Sequence, residues 1–473
     1  MTSAVKGAAA AVTEGVAAAA QKTVGDAQEH YRYVIVGGGV GAGYAAAEFA
    51  ECGLKANELC IISSDQALPY ERPALSKGYL KPSSPARLPN FHTCANTPGA
   101  PKQTAAWYFK QGIDVKLKTR VTSVDIKGKS LEAEAPGPRH HHITWDNLVI
   151  ATGSKLISMD KAEGSGLKGI VYLRTVGEAD DLVQEIQECK SRKGHCVVIG
   201  ASYIGMECGA SVAPHGIDVT MVASGDRLFP RLFTPEISTF YEDEFAKHGI
   251  KIIKNDRAER FVDAGNGRVG TVVLKSGTKL PCSLCVVGVG VKPEVELFKG
   301  KLPLADSGGI QVDGSLRPVG HKADSVYVIG DAAAFPLLRR GGDLQNVQHV
   351  QHARESAQYA VQSIMGKASG DYDYLPFFYS REFDLGWKLY GDQAGEPVYF
   401  GDKAEGKFGC FFVKDGKVLG VFAEGASDDE AKAMRAVADL RPSFQSKDTL
   451  ARQGLDFATK IAEADHAHKR AKT

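Results

Sequence analysis

Two short runs of small residues could do chemistry in this 473-residue chain. In YVIVGGGVGAGYAAAEFA, an apolar run ends at Gly37, Gly38, Gly39 and Val40, and Ala42 keeps the spacing of a glycine-rich turn. In VVIGASYIGME, Gly200, Ser202 and Gly205 repeat that spacing. Such a turn between a strand and a helix lets backbone N–H groups and the helix N-terminus approach a pyrophosphate. Asp65 ends the next apolar run, near the ~20-residue spacing of a ribose-binding carboxylate. After the second turn that place falls at Gly225, followed by Asp226 and Arg227, so the usual rule dividing NADH from NADPH is ambiguous. Two turns imply two dinucleotides, and a flavin with a nicotinamide is the simplest pair. A later run, SVYVIGDAAAF, ends at Asp331, whose carboxylate could accept bonds from ribityl or ribose hydroxyls. Its structural alternative is a helix N-cap.

Other reactive residues carry less. Many flavin reductases of this shape hold a cysteine pair near the first turn, but ALPYERPALSKGYL has none. Cys282 and Cys285 form a C-x-x-C inside the apolar stretch PCSLCVVGVG. Three residues apart on a strand, they are expected on opposite faces. Neither a redox nor a zinc role is expected of them. His140 to His142 read as a solvated loop, and no metal site is expected.

These turns need strands behind them. The apolar runs YRYVIV, LCIIS, NLVIATGS, HCVVIG, VTMVAS, LCVVGVG and SVYVIG predict an α/β protein with two Rossmann-like dinucleotide-binding domains and a smaller α+β C-terminal domain. The FAD-binding domain is expected at 31–155 and 285–350, split around an NAD(P)-binding domain at 156–284. The C-terminal domain follows at 351–473, with a hairpin at KFGCFFVKDGKVLGVFAEG turning on Asp415-Gly416. Residues 1–30 form an Ala-rich extension, read as a tail or an organelle-targeting segment. The compartment is therefore expected to be cytoplasm or chloroplast. HAHKRAKT at the end is expected to be a solvated charged tail. A net charge of +1 gives no support to a nucleic-acid surface. No apolar run approaches the ~20 residues of a membrane span. The nine cysteines read as buried thiols.

YERPALSKGYL, ATGS, VGVGVKP and VIGDAAAF resemble NADH-dependent ferredoxin reductases and apoptosis-inducing-factor-type flavoproteins. Within that group, RLPNFHTC, MVASGDRLFPRLF, VQHARESAQYAV and YDYLPFFYSREFDLGWKLYGD resemble the monodehydroascorbate reductases of plants and algae. The resemblance implies hydride transfer from NADH to FAD, then single electrons to two monodehydroascorbate radicals, with no obligate protein partner. By resemblance, Gly37 to Val40, Asp65, Arg72, Lys77, Arg174, Asp331, Val350 and Tyr379 would hold FAD. Ala201, Ser202, Tyr203, Ile204, Gly205, Met206 and Glu207 would form the nicotinamide-coenzyme turn, with Gly225, Arg231, Gly290, Gln348, His349 and Tyr379 nearby. Arg354 and Arg381 would bind the anionic substrate. Gly225 stands where relatives have an acidic residue and Gln348 where many have a carboxylate, so NADPH is compatible beside NADH. Two alternatives stay open: a reductase for a ferredoxin-like protein, and an interaction flavoprotein of the apoptosis-inducing-factor kind.

Overall fold

The computed structural model describes residues 29–83, 85–87, 92–94, 100–137, 139–320 and 324–470. The first apolar run is β1 (Glu29–Val36), which leads through the glycine turn into α1 (Val40–Glu51) and β2 (Leu59–Ile62). Further on come β3 (Asp114–Lys116), β4 (Arg120–Asp125), β5 (Ser130–Ala135) and β6 (Arg139–Ile150). These strands form one sheet in the order β3-β2-β1-β6-β5-β4. β1 runs parallel to β2 and β6, and its last four residues are buried. A strand covered on both faces needs the near-continuous apolar run that the sequence supplies there.

The chain leaves this sheet by β7 (Ser154–Leu156) and builds β8 (Ile170–Val171), α2 (Val176–Ser191), β9 (His195–Ile199), α3 (Tyr203–Val212), β10 (Asp218–Val222), α4 (Pro235–Lys247) and β11 (Lys251–Ile253). An antiparallel flap follows: β12 (Ala258–Asp263), β13 (Val269–Leu274) and β14 (Lys279–Pro281). β15 (Leu284–Val287) then completes a five-stranded sheet of order β11-β10-β9-β15-β8. The chain returns by β16 (Val291–Pro293), which pairs antiparallel with β7. After β17 (Ile310–Gln311), β18 (Val326–Val328) rejoins the first sheet beside β6. β19 (Ala333–Leu337) and β20 (Asp343–Gln345) make a small sheet with β17.

Helix α5 (Val350–Ile364) leads to the C-terminal antiparallel sheet: β21 (Phe377–Glu382), β22 (Leu385–Gly391), β23 (Glu396–Asp402), β24 (Lys407–Lys414) and β25 (Lys417–Glu424). Its order is β21-β22-β25-β24-β23, and it is followed by helices α6 (Asp428–Leu440), α7 (Lys447–Gln453) and α8 (Leu455–Arg470). Asp415 and Gly416 both take positive φ between β24 and β25, as a two-residue hairpin of the favoured hand requires.

Several expectations need correction. β15 pairs with β9 residue for residue, so residues 285–287 belong to the second sheet and the crossing back comes at β16. Helix α5 buries Ala357, Ala360 and Val361 in the core of the first sheet, so it belongs with α1. His140 to His142 lie on β6 and not in a loop, because β6 extends far enough to pair with β5. His141 contacts Glu29 at 2.7 Å and His142 contacts Glu132 at 2.5 Å. HAHKR ends helix α8, and the last three residues lie outside the described ones, as does the N-terminal stretch before Glu29. Among the described residues, no helix is long and apolar enough to cross a membrane. None of their His, Cys, Asp and Glu side chains gather in threes that could hold a metal ion.

Candidate functional site

Both glycine turns open on one cavity of about 1630 Å3. That exceeds the ~300–1,000 Å3 of an ordinary small-molecule pocket. Gly37, Gly38, Gly39 and Val40 line it from the first sheet, and Ala201, Ser202, Tyr203 and Ile204 from the second. The helices behind these turns share a feature: α1 begins after Gly39 and α3 after Ser202, and neither has a side-chain cap. By contrast, Thr175, Thr234, Ser427 and Ser446 cap other helices with their hydroxyls. Two helix N-termini thus present unsatisfied N–H groups to the same cavity, which is the donor set a pyrophosphate needs.

The first turn is shaped by its neighbours. Gly37 has φ +118°, and a Cβ there would sit 2.2 Å from the Ala151 carbonyl oxygen. Gly39 differs, for the nearest protein atom to its Cβ position is Arg72 Nε at 3.9 Å. The cradle over Gly39 is open to a ligand. At its edge Asp65 accepts from Tyr70 and Arg72, each at 3.2 Å, while Arg72 also donates to the Arg174 carbonyl at 2.6 Å. Asp331 lies in the turn Gly330–Ala332 and accepts from Ser154 at 2.6 Å, facing Arg174 at 3.6 Å. Ile329, and not Asp331, holds the N-cap position of that turn. Burial, then the nearby Arg72 charge, lowers the Arg174 pKa.

Where the two halves meet, Lys77, Val350, His349, Gln348 and Tyr379 line the wall. Lys77 pairs with Glu207 at 2.8 Å and lies 5.9 Å over the Tyr379 ring. Glu207, expected in the coenzyme turn, lines the cavity and also ties three segments together: it accepts from Ser76 and, at 2.5 Å, from Ser380. His349 is buried, and burial followed by the Arg354 and Lys77 charges pushes its pKa down to about 3. Its Nδ1 accepts from the Gln351 amide at 3.2 Å, so the ring stays neutral. Gln348 is exposed and donates to Asn346 at 3.0 Å. Tyr203 stacks on Trp387 at 5.8 Å.

At the far end, Gly225, Arg227, Arg231, Arg257 and Gly290 line the cavity. A Cβ at Gly225 would meet only Pro230, at 4.0 Å. The Asn255 amide donates to the Gly225 carbonyl at 2.9 Å, which seats the loop bearing Arg257 against this strand end.

Four residues expected at the site do not reach the cavity wall. Met206 is in the core, and Gly205 packs so close to Gly200 that a Cβ would overlap its carbonyl. Arg354 lies behind the wall, paired at 2.8 Å with the buried Glu71. Arg381 is exposed, two residues along β21 from Tyr379 and on the same strand face. Sequence reading passed over Ser380 and Glu382, because alternating polar residues on a strand look like a solvated face. Here that face is turned inward, and both are 1% exposed.

The cysteine expectation also changes in detail. Cys282 sits in the bend before β15, where strand alternation does not apply, so both thiols point into one core cluster and interact. Both are buried and neither lines the cavity. Cys282→Ala with Cys285→Ala should therefore lower thermal stability yet keep flavin reduction by NADH near wild type. A loss beyond about 3 kcal/mol of transition-state stabilisation, roughly a hundredfold, with flavin still bound, would contradict this.

The comparisons fit a cavity built from two dinucleotide turns. A family model described as pyridine nucleotide-disulphide oxidoreductase matches residues 31–361. A second, described as the C-terminal domain of monodehydroascorbate reductase 3-like proteins, matches residues 375–458. The chain is 44% identical to monodehydroascorbate reductase 4, peroxisomal, of Arabidopsis thaliana, covering 90% of this chain and 86% of that one. It is also 44% identical to the cytosolic monodehydroascorbate reductase 4 of Oryza sativa subsp. japonica, covering 92% and 100%. The chain belongs to the monodehydroascorbate reductase family. Among solved structures, a ferredoxin reductase from Rhodopseudomonas palustris superposes with a TM-score of 0.77 at 30% identity, covering 90% of this chain and all of that one. Like other monodehydroascorbate reductases, this protein is an NAD(P)H-dependent flavin oxidoreductase, with the pyridine nucleotide-disulphide oxidoreductase match running through the sheets behind both glycine turns to residue 361 and the C-terminal sheet carrying Tyr379. The uncapped helix ends and the open cradle at Gly39 fit a flavin and a pyridine nucleotide. The relatives named above are peroxisomal and cytosolic, and neither supports the chloroplast expectation.

Proposed function

We propose that the chain uses this cavity to take a hydride from NADH, and also from NADPH, and to return single electrons to monodehydroascorbate radicals. The observation that carries this reading is the pair of uncapped helix N-termini facing one cavity whose wall holds no thiol. A bound flavin would supply the chemistry, since it accepts two electrons together and releases them singly. The α1 N-terminus would bind its pyrophosphate, and Asp65 and Asp331 would accept from its hydroxyls. Arg72 and Arg174 would hold those carboxylates in place. The α3 N-terminus would bind the coenzyme's pyrophosphate. Tyr203 and Tyr379 would shield the meeting point from water. His349, kept neutral, adds no positive charge there. Arg381, exposed beyond Tyr379, would meet the anionic radical, with Arg354 as second candidate.

The test is NADH oxidation in the presence of ascorbate and an oxidase that makes the radical, beside a parallel assay with a ferredoxin as acceptor. Turnover with the radical supports the reading. Turnover with ferredoxin alone overturns it.

The coenzyme's adenosine end should discriminate weakly. Gly225 offers no carboxylate to a 2′-hydroxyl and does not repel a 2′-phosphate, while Arg227 and Arg257 stand close by. Gly225→Glu fits the open space and should lower kcat/KM for NADPH at least about tenfold more than for NADH, the scale of a lost charge-assisted bond. Equal effects on both coenzymes would mean that residue 225 does not face the ribose.

A further inference from the structure

The reaction proposed above leaves one proton unassigned. A hydride carries two electrons and one proton. Two monodehydroascorbate radical anions each take one electron and one proton to become ascorbate monoanion. One proton per turnover must therefore come from elsewhere. We propose that Glu382 stores this proton and passes it through Ser380 to Glu207 at the cavity wall, an inference that rests on the function proposed above.

The geometry is a line of three side chains on two elements. Glu382 and Ser380 share the inward face of β21, opposite to Tyr379. The Ser380 hydroxyl donates to Glu207 Oε1 at 2.5 Å, and Glu382 stands next to Ser380 on that strand face, two residues along. Glu207 lines the cavity and is held there by Ser76 and Lys77. Glu382 is 1% exposed, and its Oε2 has no hydrogen-bond partner among the described residues. Two other buried polar atoms close by also lack one: the Tyr203 hydroxyl and the indole N–H of Trp387, whose residue lies directly across from Ser380 on β22.

The surrounding charges say which group keeps the proton. From the loop before the cavity, Lys77 gives its charge to Glu207. From β25, Glu424 accepts from Tyr241 of α4 at 2.5 Å and from the Gly386 and Gly425 amides, so its carboxylate is satisfied. From α3, Tyr203 offers only a neutral hydroxyl. Among the described residues Glu382 makes no ion pair; burial, and then the Glu207 charge, push its pKa up to about 8, while the Ser380 hydroxyl and the Lys77 charge act only as lesser, lowering influences. In transfer, the Glu382 O–H bond breaks as the Ser380 oxygen takes the proton, and the Ser380 hydroxyl gives its own proton to Glu207. From Glu207 the proton passes to a substrate oxygen, and after product leaves, Glu382 is reloaded along the same line in reverse, from water in the cavity through Glu207 and Ser380. No electron moves along this line, and Glu382 acts through others as a positioning residue.

The test combines kinetics with a spectrum taken without substrate. In the wild type, kcat with the radical should fall as pH rises through about 8, where Glu382 loses its proton. Glu382→Gln should lose that inflection and turn over about 10- to 100-fold more slowly at neutral pH, near the lower end of general-acid effects because water can substitute. Ser380→Ala should show a similar loss with both carboxyls intact, and Glu382→Asp a partial recovery. Flavin reduction by NADH needs no added proton and serves as the internal control. In the infrared spectrum of the purified protein, the carbonyl stretch of a protonated carboxyl should be present at neutral pH, titrate away near pH 8, and be missing in Glu382→Gln. A Glu382→Gln enzyme with the wild-type pH inflection, or one that keeps the infrared band, overturns the inference. Failure of the wild type to turn over the radical would instead sink the proposed function, and the infrared arm still decides whether Glu382 holds a proton.

Discussion

Gly39→Ala should give a folded but colourless protein, whereas Gly37→Ala should not fold. Both lie in one turn, and the difference is what a methyl would meet. At Gly37 the backbone has φ +118° and the added carbon would overlap the Ala151 carbonyl, which belongs to the segment leaving β6. That position sits at the centre of the first sheet, so neither strand can move away without breaking the parallel pairing of β1 and β6. At Gly39, φ is −85°, which any residue can adopt, and the nearest protein atom is 3.9 Å away. Only a ligand over the α1 N-terminus would meet that methyl. Losing two charge-assisted bonds to a pyrophosphate costs about 3–6 kcal/mol, on the order of 10²- to 10⁴-fold in affinity. The flavin-to-protein ratio from absorbance, with circular dichroism and a thermal melt, checks both halves. A yellow Gly39→Ala protein would mean that the pyrophosphate does not lie over this turn.

Removing the two arginines should separate binding from stability. Arg381 is exposed and beyond Tyr379, so Arg381→Ala should leave the melting temperature nearly unchanged. KM for the radical should rise on the order of 10- to 150-fold, the scale of one charge-assisted bond. Arg381→Lys keeps the charge but loses the planar fork, and should recover only part. Arg354→Ala should act differently. It strands Glu71, 1% exposed, with the Tyr44 hydroxyl at 3.3 Å as its remaining side-chain donor among the described residues. Breaking a buried pair by removing one partner costs about 3–5 kcal/mol. Arg354→Ala should therefore unfold at lower temperature before any kinetic effect is read, and Arg354→Met with Glu71→Gln should regain much of that loss. Stopped-flow flavin reduction by NADH should stay near wild type in Arg381→Ala. If it slows as much as steady-state turnover, Arg381 supports the fold or the nicotinamide region, and the radical binds elsewhere.

What could be read from the sequence was local. A strand, a tight turn and a helix within some fifteen residues leave their mark as an apolar run followed by Gly37-x-Gly39 or Gly200-x-Ser202, and both turns stand where that pattern put them. The hairpin at Asp415-Gly416 is local in the same way. The Arg354–Glu71 and Lys77–Glu207 pairs join residues more than a hundred positions apart, and no spacing announces them. Glu382 was hidden for a related reason: whether the polar face of an alternating strand meets water or a helix is decided by what packs on it. The histidines of β6 and Cys282 were misread because a residue's neighbours in sequence do not fix where a strand starts or stops.

The turn between β21 and β22 sets which face of β21 looks into the cavity. Glu382 pairs with Leu385 across only two residues, Phe383 and Asp384. Phe383 takes φ +56°, and its ring lies flat on His248 at 3.7 Å. Adding or deleting one residue there would turn the strand over, putting Ser380 and Glu382 where Tyr379 and Arg381 now stand. A two-residue connection, ordinarily free to lengthen, is here tied to the facing of the strand before it: its side chains can be exchanged without turning β21, but its length cannot change. A substitution along β21 can reshape the acceptor side and leave the strand's facing intact, whereas any change of length at Phe383-Asp384 cannot.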